Sequence, residues 1–321
     1  RVRLEDMDDG NANAQCDRNV VFANLGIASD ENCILPFGLD CDGVRLEWAN
    51  IQPLVRETIA DAPTYVFFLP SGMSSARLHF ADGVVAPDLS HGIAMFDRIA
   101  EDGHEVRFIV LNRDYAEQLY VIDSQNGTGK ALLFARAAVL QDERDFSVRL
   151  ESECTSVPVV AYPASALAPG GASRIEAGAE IGLPDCFARL VLNRAPVDIP
   201  ARCEQSDINC WSVIMDPAAL DDPSVKNILL DVDYVGDVAQ AYVDGILVHD
   251  NFANGETWRI GLHELRDQLA AGKALTLKIT PLKQGVVIDV DSPMAARQEH
   301  VDKEIGELSG VRVSVIYEYQ L

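Results

Sequence analysis

A few side-chain groupings in this sequence have the types, and part of the spacing, that chemistry requires. Gly72-Met-Ser-Ser-Ala76 resembles a nucleophile elbow, but that device needs a helix after the serine, and Arg77-Leu-His-Phe80 reads as a strand. Gly127-Thr-Gly-Lys130 lacks the first glycine of a phosphate-binding loop and is followed by Ala131 rather than Ser or Thr, so it reads as a hairpin turn. His263-Glu264 opens like the helix of a zinc protease, yet Asp267 stands where the second histidine belongs. Asp6 to Asn13 is rich in oxygen ligands, but its spacing fits no calcium loop and a solvated turn is the better reading. Seven cysteines include no C-x-x-C pair, which argues against zinc. Cys33 with Cys41 and Cys203 with Cys210 are spaced to bridge short hairpins in an oxidising compartment; buried free thiols are the equal alternative. No cofactor or metal is called for.

Aromatic rings are the remaining candidates. A sugar presents apolar C–H faces between its hydroxyls, so a carbohydrate site needs a flat ring beside hydrogen-bonding side chains. The tryptophans are Trp48, Trp211 and Trp258. Trp258 follows Asn254, Gly255 and Glu256, a suitable mixture, and Trp258, Asn254 and Glu256 are the candidate carbohydrate-binding residues. The plainer reading makes the indole a core peg near a turn. His249 and Asp250 read as a solvated strand end, and Asp237 and Asp244 as turn-formers.

The segment that carries these residues folds back on itself. Leu230, Val232 and Tyr234 alternate with Asp231 and Asp233, the period of a half-buried strand. Gly236-Asp237 supplies a turn, and Ala239, Ala241 and Val243 share one face of the next strand. Asp244-Gly245 is a two-residue hairpin signal, Ile246 to Val248 begin the return, and Asn254-Gly255 marks another reversal. Further strand-like runs cover Tyr65 to Leu69, Arg77 to Phe80, Val106 to Leu111, Leu132 to Phe134, Phe146 to Leu150 and Val157 to Tyr162. Val106, Phe108 and Val110 predict one buried and one wetter face. Later strands cover Leu190 to Leu192, Ser212 to Met215 and an alternating stretch from Val311 to Tyr319.

Two helices are predicted: Asn112 to Ile122, capped by Asn112, and a short one carrying Leu262, Leu265 and Leu269 that ends at Ala271-Gly272. The expected fold is all-β, two antiparallel β-sandwich domains with one or two short helices. Residues 1–165 form the first domain and 179–321 a jelly-roll-like second, with 166–178, rich in Pro, Ala, Gly and Ser, as linker or surface loop.

Composition narrows the class. A chain of 321 residues is long enough for about two domains, and 48% hydrophobic with 24% charged residues is ordinary for a globular protein with a core. A net charge of −24 argues against nucleic acid and anionic membranes as partners, and no apolar run approaches a membrane span. The chain opens at Arg1 with no signal peptide or initiating Met, as expected of an internal portion of something longer. Cysteine usage leaves the compartment open; a soluble, cytoplasmic protein is favoured slightly over a secreted one.

The run from Asp231 to Ile260 resembles the jelly-roll domain that follows the catalytic barrel in glycoside hydrolase family 35, the β-galactosidase family. The matching positions are Tyr234, Gly236-Asp237, Ala239, Tyr242, Asp244-Gly245, Asp250, Phe252, Asn254-Gly255, Trp258 and Ile260-Gly261-Leu262, continuing through Leu275-Thr-Leu-Lys-Ile-Thr-Pro-Leu282. Ile34-Leu-Pro-Phe-Gly-Leu39 with Ala49-Asn-Ile-Gln-Pro-Leu54 resembles the region after that barrel, and Thr64-Tyr-Val-Phe-Phe68 with Ser71-Gly72 the strand beyond it. The chain departs from the family at Ala253, where an aromatic is common, and in the acidic Gly38 to Gly43 stretch.

The resemblance implies a non-catalytic β-sandwich region that supports the barrel and contacts carbohydrate. The family cleaves glycosides with two glutamates at strand ends of its barrel, and this sequence has neither eight strand–helix alternations nor the Asn-Glu pair that carries the acid. The expected partners are therefore the catalytic barrel of the parent chain and a galactoside or polysaccharide. A free-standing carbohydrate-binding module is one alternative, and a β-sandwich enzyme such as a lyase or esterase another.

Overall fold

The structure, a computed structural model, describes residues 26–124, 129–167, 175–216, 220, 225–286 and 303–321. Asp6 to Asn13, Cys16 and the first half of Gly127-Thr-Gly-Lys130 lie outside the described residues. The strands of the first part of the chain are β1 (Phe37–Cys41), β2 (Val44–Ala49), β3 (Gln52–Ile59), β4 (Ala62–Phe68), β5 (Leu78–Phe80), β6 (Gly83–Val85), β7 (Ile93–Ile99) and β8 (Glu105–Leu111). Helix α1 (Arg113–Ala116) precedes β9 (Leu119–Asp123), β10 (Lys130–Ala135), β11 (Ala138–Gln141), β12 (Val148–Ser152), β13 (Ser156–Tyr162), β14 (Ile175–Ala177) and β15 (Ala188–Asn193). Then come β16 (Ala201–Asp207), β17 (Cys210–Met215), β18 (Val225–Val235), β19 (Val238–Val243), β20 (Ile246–Phe252), β21 (Trp258–Gly261), α2 (Arg266–Ala270), β22 (Leu275–Thr280) and β23 (Glu307–Gln320). The chain is mostly β with two short helices, the all-β, sandwich-type class that its alternating patterns predict.

Two compact units share the chain. Pro158–Val191 belongs to the first, with the residues up to Val148, whereas Arg149–Val157 joins Leu192–Gln320 in the second. β14, at the end of the 166–178 stretch, pairs with β15 in the first unit.

The first unit has three sheets rather than the two of a simple sandwich: β1-β2-β5-β6, β3-β4-β8-β7 and β14-β15-β13-β10-β9. One core packs Leu46, Leu78 and Phe80 of the first sheet against Phe67 and Phe108 of the second. Another packs Val66, Ile109 and Leu111, on the opposite face of that second sheet, against Phe134 and Tyr162 of the third and Phe187 just before β15. The middle sheet is therefore buried on both faces. This corrects the one-wet-face reading of Val106 to Leu111, and the continuous run Phe108-Ile-Val-Leu111 is what double burial demands. β4 and β8 also run parallel, a departure from an all-antiparallel arrangement. The chain visits β5 and β6 in another sheet between them, which supplies the crossover that parallel pairing needs.

The predicted helix over Asn112 to Ile122 is shortened to α1. Asn112 caps it as expected, its Oδ1 accepting from the Tyr115 N–H at 2.9 Å. Leu119 to Ile122, branched and aromatic, instead form β9 against β10.

In the second unit β12-β23-β18-β21 make one sheet and β16-β17-β22-β19-β20 the other. The inner face of the first carries Ile228, Leu230, Val232, Trp258, Ile260 and Val315; that of the second carries Ala239, Ala241, Val243, Leu275, Leu277 and Ile279. Asp244 and Gly245 both adopt positive φ (53° and 77°), the twist-matched turn their types predict. Gly236 is required for a different reason: a Cβ there would lie 2.5 Å from Ile279 Cγ2 and 2.9 Å from the Thr280 carbonyl. Leu262, Leu265 and Leu269 are buried along a short 3₁₀ turn and α2, and Gly272 at φ 79° ends them.

Candidate functional site

Trp258 lies on β21 opposite Val232 and is 4% exposed. Its ring meets Tyr234 edge-on at 6.2 Å and tilts against His249 at 5.7 Å. The indole Nε1 donates to His249 Nδ1 at 3.1 Å. The same nitrogen lies 3.1 Å from the Asp250 carbonyl oxygen on β20. Tyr234 behaves alike: its hydroxyl donates to the Asn251 carbonyl at 3.1 Å and accepts from Asn251 Nδ2 at 2.9 Å, and burial pushes its phenol up. Both rings are interior pegs whose polar tips reach β20 of the facing sheet. Asn254 and Glu256 are exposed and joined, the Glu256 N–H donating to Asn254 Oδ1 at 3.0 Å with Gly255 at φ 85°. The loop brings those two together, while Trp258 turns inward.

The outer face of β12-β23-β18-β21 holds a charged grouping that alternation alone does not reveal. Register sets Arg312, Asp231 and Arg259 directly opposite one another on three adjacent strands. The Asp231 side chain is 0% exposed, and each arginine Nε stands 3.3 Å from one of its oxygens. The Ser314 hydroxyl donates to Asp231 Oδ2 at 2.6 Å, whereas Oδ1 accepts no hydrogen bond and relies on the Arg259 charge. Arg259 also pairs with Glu153 at 2.5 Å, and Arg312 with Asp233 at 2.9 Å. Asp233 further accepts from the Thr257 hydroxyl at 2.7 Å. Charges therefore alternate Glu153, Arg259, Asp231, Arg312, Asp233, each compensated by the next. Such a chain ties strands together and leaves no group free to attack or protonate a substrate.

The first unit has an open groove of about 360 Å³ beside α1, lined by Asp114, Glu117, Gln118, Tyr120 and Arg136. Its polar groups are also spent on one another. Arg136 pairs with Asp114, Arg113 with Glu117 at 2.7 Å, and the Tyr120 hydroxyl donates to the Ala137 carbonyl at 2.7 Å.

Nucleophiles fare no better. Among the described residues the cysteines are free. Cys203 stands opposite Val213 and Cys210 opposite Asp207, so the β16–β17 register separates a pair whose spacing had suggested a bridge. Burial, reinforced by Asp40 and Asp42, pushes the Cys41 thiol up to about 12, and burial pushes Cys203 to about 11; both are inert. Ser74 and Ser75 lead into β5, a strand, so no elbow forms. Among the described residues no group of three or more His, Cys, Asp or Glu side chains could hold a metal ion. No helix there is long and apolar enough to cross a membrane.

No protein-family model matches the chain, and no curated protein is similar to it in sequence.

Proposed function

We propose that this chain is the non-catalytic β-sandwich region of a β-galactosidase-like glycoside hydrolase, supporting a catalytic barrel of the same parent polypeptide and contacting carbohydrate. The observation that carries the reading is the ribbon from Asp231 to Leu262. Its segments form β18, a glycine-dependent turn, β19, the Asp244-Gly245 hairpin, β20 and β21 in unbroken succession, as the resemblance implies. The polar groupings around it support a scaffold role, because their carboxylates and guanidinium groups compensate each other inside the fold. A retaining glycosidase instead keeps two carboxyl groups about 5–5.5 Å apart facing a sugar.

The test is direct. Purified chain should leave a chromogenic β-galactoside intact at concentrations where a glycosidase turns it over within minutes. Sustained hydrolysis by the homogeneous protein overturns the proposal. Coding sequence upstream of Arg1 should specify alternating strands and helices of a barrel carrying the two glutamates, and an unrelated upstream domain would count against the parentage.

A further inference from the structure

The outer face of the β16-β17-β22-β19-β20 sheet differs from every other polar surface described above, because its central side chains are not spent on one another. Register places Lys278, Gln240 and Asp250 in one row across β22, β19 and β20. Among the described residues, none of these three side chains has a hydrogen bond or ion pair. One end of the row's neighbourhood holds Tyr242 opposite Leu247, which is 47% exposed; the other holds Phe252 opposite Val238, 73% exposed. Ala239, Ala241 and Val243, the alternate residues of β19, are buried, which fixes Gln240 and Tyr242 on the outward side.

β20 is thus inverted relative to an ordinary edge strand. Its inward residues His249 and Asn251 are polar and bind the tips of Trp258 and Tyr234, while Phe252 and Leu247 point away from the core. Burial does not explain those exposed apolar groups.

The pattern selects a ligand chemistry. Lys278 only donates, Asp250 only accepts and Gln240 does both, the mixture that vicinal hydroxyls satisfy. One positive and one negative charge cancel, so neither an anion nor a cation is favoured. A protein partner would want contiguous apolar surface at the centre of its footprint, whereas here the polar row lies between the apolar ends. Tyr242 and Phe252 are separated by the four-residue step from position 238 to 242, about 13 Å along the strand. That span exceeds a single sugar ring. We infer that this face binds a neutral oligosaccharide, with Tyr242 and Phe252 as the terminal platforms and Gln240, Asp250 and Lys278 contacting hydroxyls between them. The inference rests on the carbohydrate part of the proposed function and moves the contact from Trp258 to the face behind its hairpin.

Titration of the full chain with β-1,4-galactotetraose and with β-1,4-glucotetraose, followed by amide NMR, tests it. Resonances of 238–242, 247–252 and 276–280 should shift with at least one of the two. Tyr242→Ala and Phe252→Ala should each weaken that binding at least tenfold, and Gln240→Met several-fold, with circular dichroism unchanged. Ile208→Ala, on the exposed β16–β17 turn, should bind as the parent does. Absence of shifts with both sugars at millimolar concentration, or binding that survives both aromatic replacements, overturns the inference. Neither result touches the non-catalytic assignment, which stands or falls on galactoside turnover.

Discussion

The two sheets of the second unit solve the same problem, a wet outer face, in opposite ways. On β12-β23-β18-β21 the outward polar groups close on one another, down to a carboxylate with no exposed surface held between two arginines. On β16-β17-β22-β19-β20 the corresponding row stays open and is flanked by the exposed Phe252 ring and the half-buried Tyr242 ring. Compensated charge is a structural device, since its members have no valence left for a ligand. An uncompensated row beside aromatic groups is costless to the fold only because water satisfies it, and water can be exchanged for hydroxyls.

The largest separation between the faces should come from matched aspartate deletions. Breaking a buried pair costs about 3–5 kcal/mol when the remaining charge stays buried. In Asp231→Ala the remaining arginines are half-exposed and regain water, so the expected loss is about 2 kcal/mol. Asp250→Ala, on the open face, should stay within about 0.5 kcal/mol of the parent. Urea unfolding of both variants reads the difference, and equal midpoints would show that the ion-pair chain is decorative.

A smaller effect concerns how the sheets are joined on their inner sides. β20 contributes no large apolar residue to the core and is held in part by Trp258 and Tyr234 through hydrogen bonds. Trp258→Phe keeps a ring but removes the donor to His249, worth about 1 kcal/mol. Amide exchange across 246–252 should then quicken about fivefold, the strand opening locally before the rest of the unit. Unchanged protection in that strand would mean that backbone pairing to β19 alone holds it.

Much of this was legible in the residues, and the pattern of what was not is instructive. The hairpin at Asp244-Gly245, the Asn112 cap and the Leu262/Leu265/Leu269 turn depend on neighbours a few positions away, so local chemistry suffices to find them. The Asp231 grouping and the Lys278–Gln240–Asp250 row join residues far apart in the chain, 83 positions for Ser314 and Asp231 and 106 for Arg259 and Glu153, and only register aligns them. Alternation marked Asp231 as outward, which is right, and therefore wet, which is wrong; two arginines from other strands cover it. Trp258 keeps company in sequence with the exposed Asn254 and Glu256, yet period-2 geometry turns it inward at the start of β21. The doubly buried middle sheet did leave a signal, the unbroken Phe108 to Leu111 run, which is the mark of a strand covered on both sides.

An unsatisfied atom need not mean an open site, and the first unit provides the contrast. His79 stacks on Trp48 across β2 and β5, ring centroids 3.4 Å apart, and its Nε2 is buried without a hydrogen-bond partner among the described residues. Burial, and then the Arg77 charge, lower its pKa from the ordinary 6.5 against a weaker pull from Glu47. Between the lowered folded value and 6.5 the unfolded chain binds more protons than the native one, so stability rises with pH across that window. The contribution is complete above 6.5 and is lost progressively as acid carries the pH down through the folded value. The His79 ring resonance should therefore titrate below 6.5. His79→Phe, which keeps a ring against Trp48, should flatten the pH dependence of the first unit's unfolding over the same window. A resonance titrating at or above 6.5 would show that the nitrogen is hydrated, and would place His79 with the open row rather than with the core.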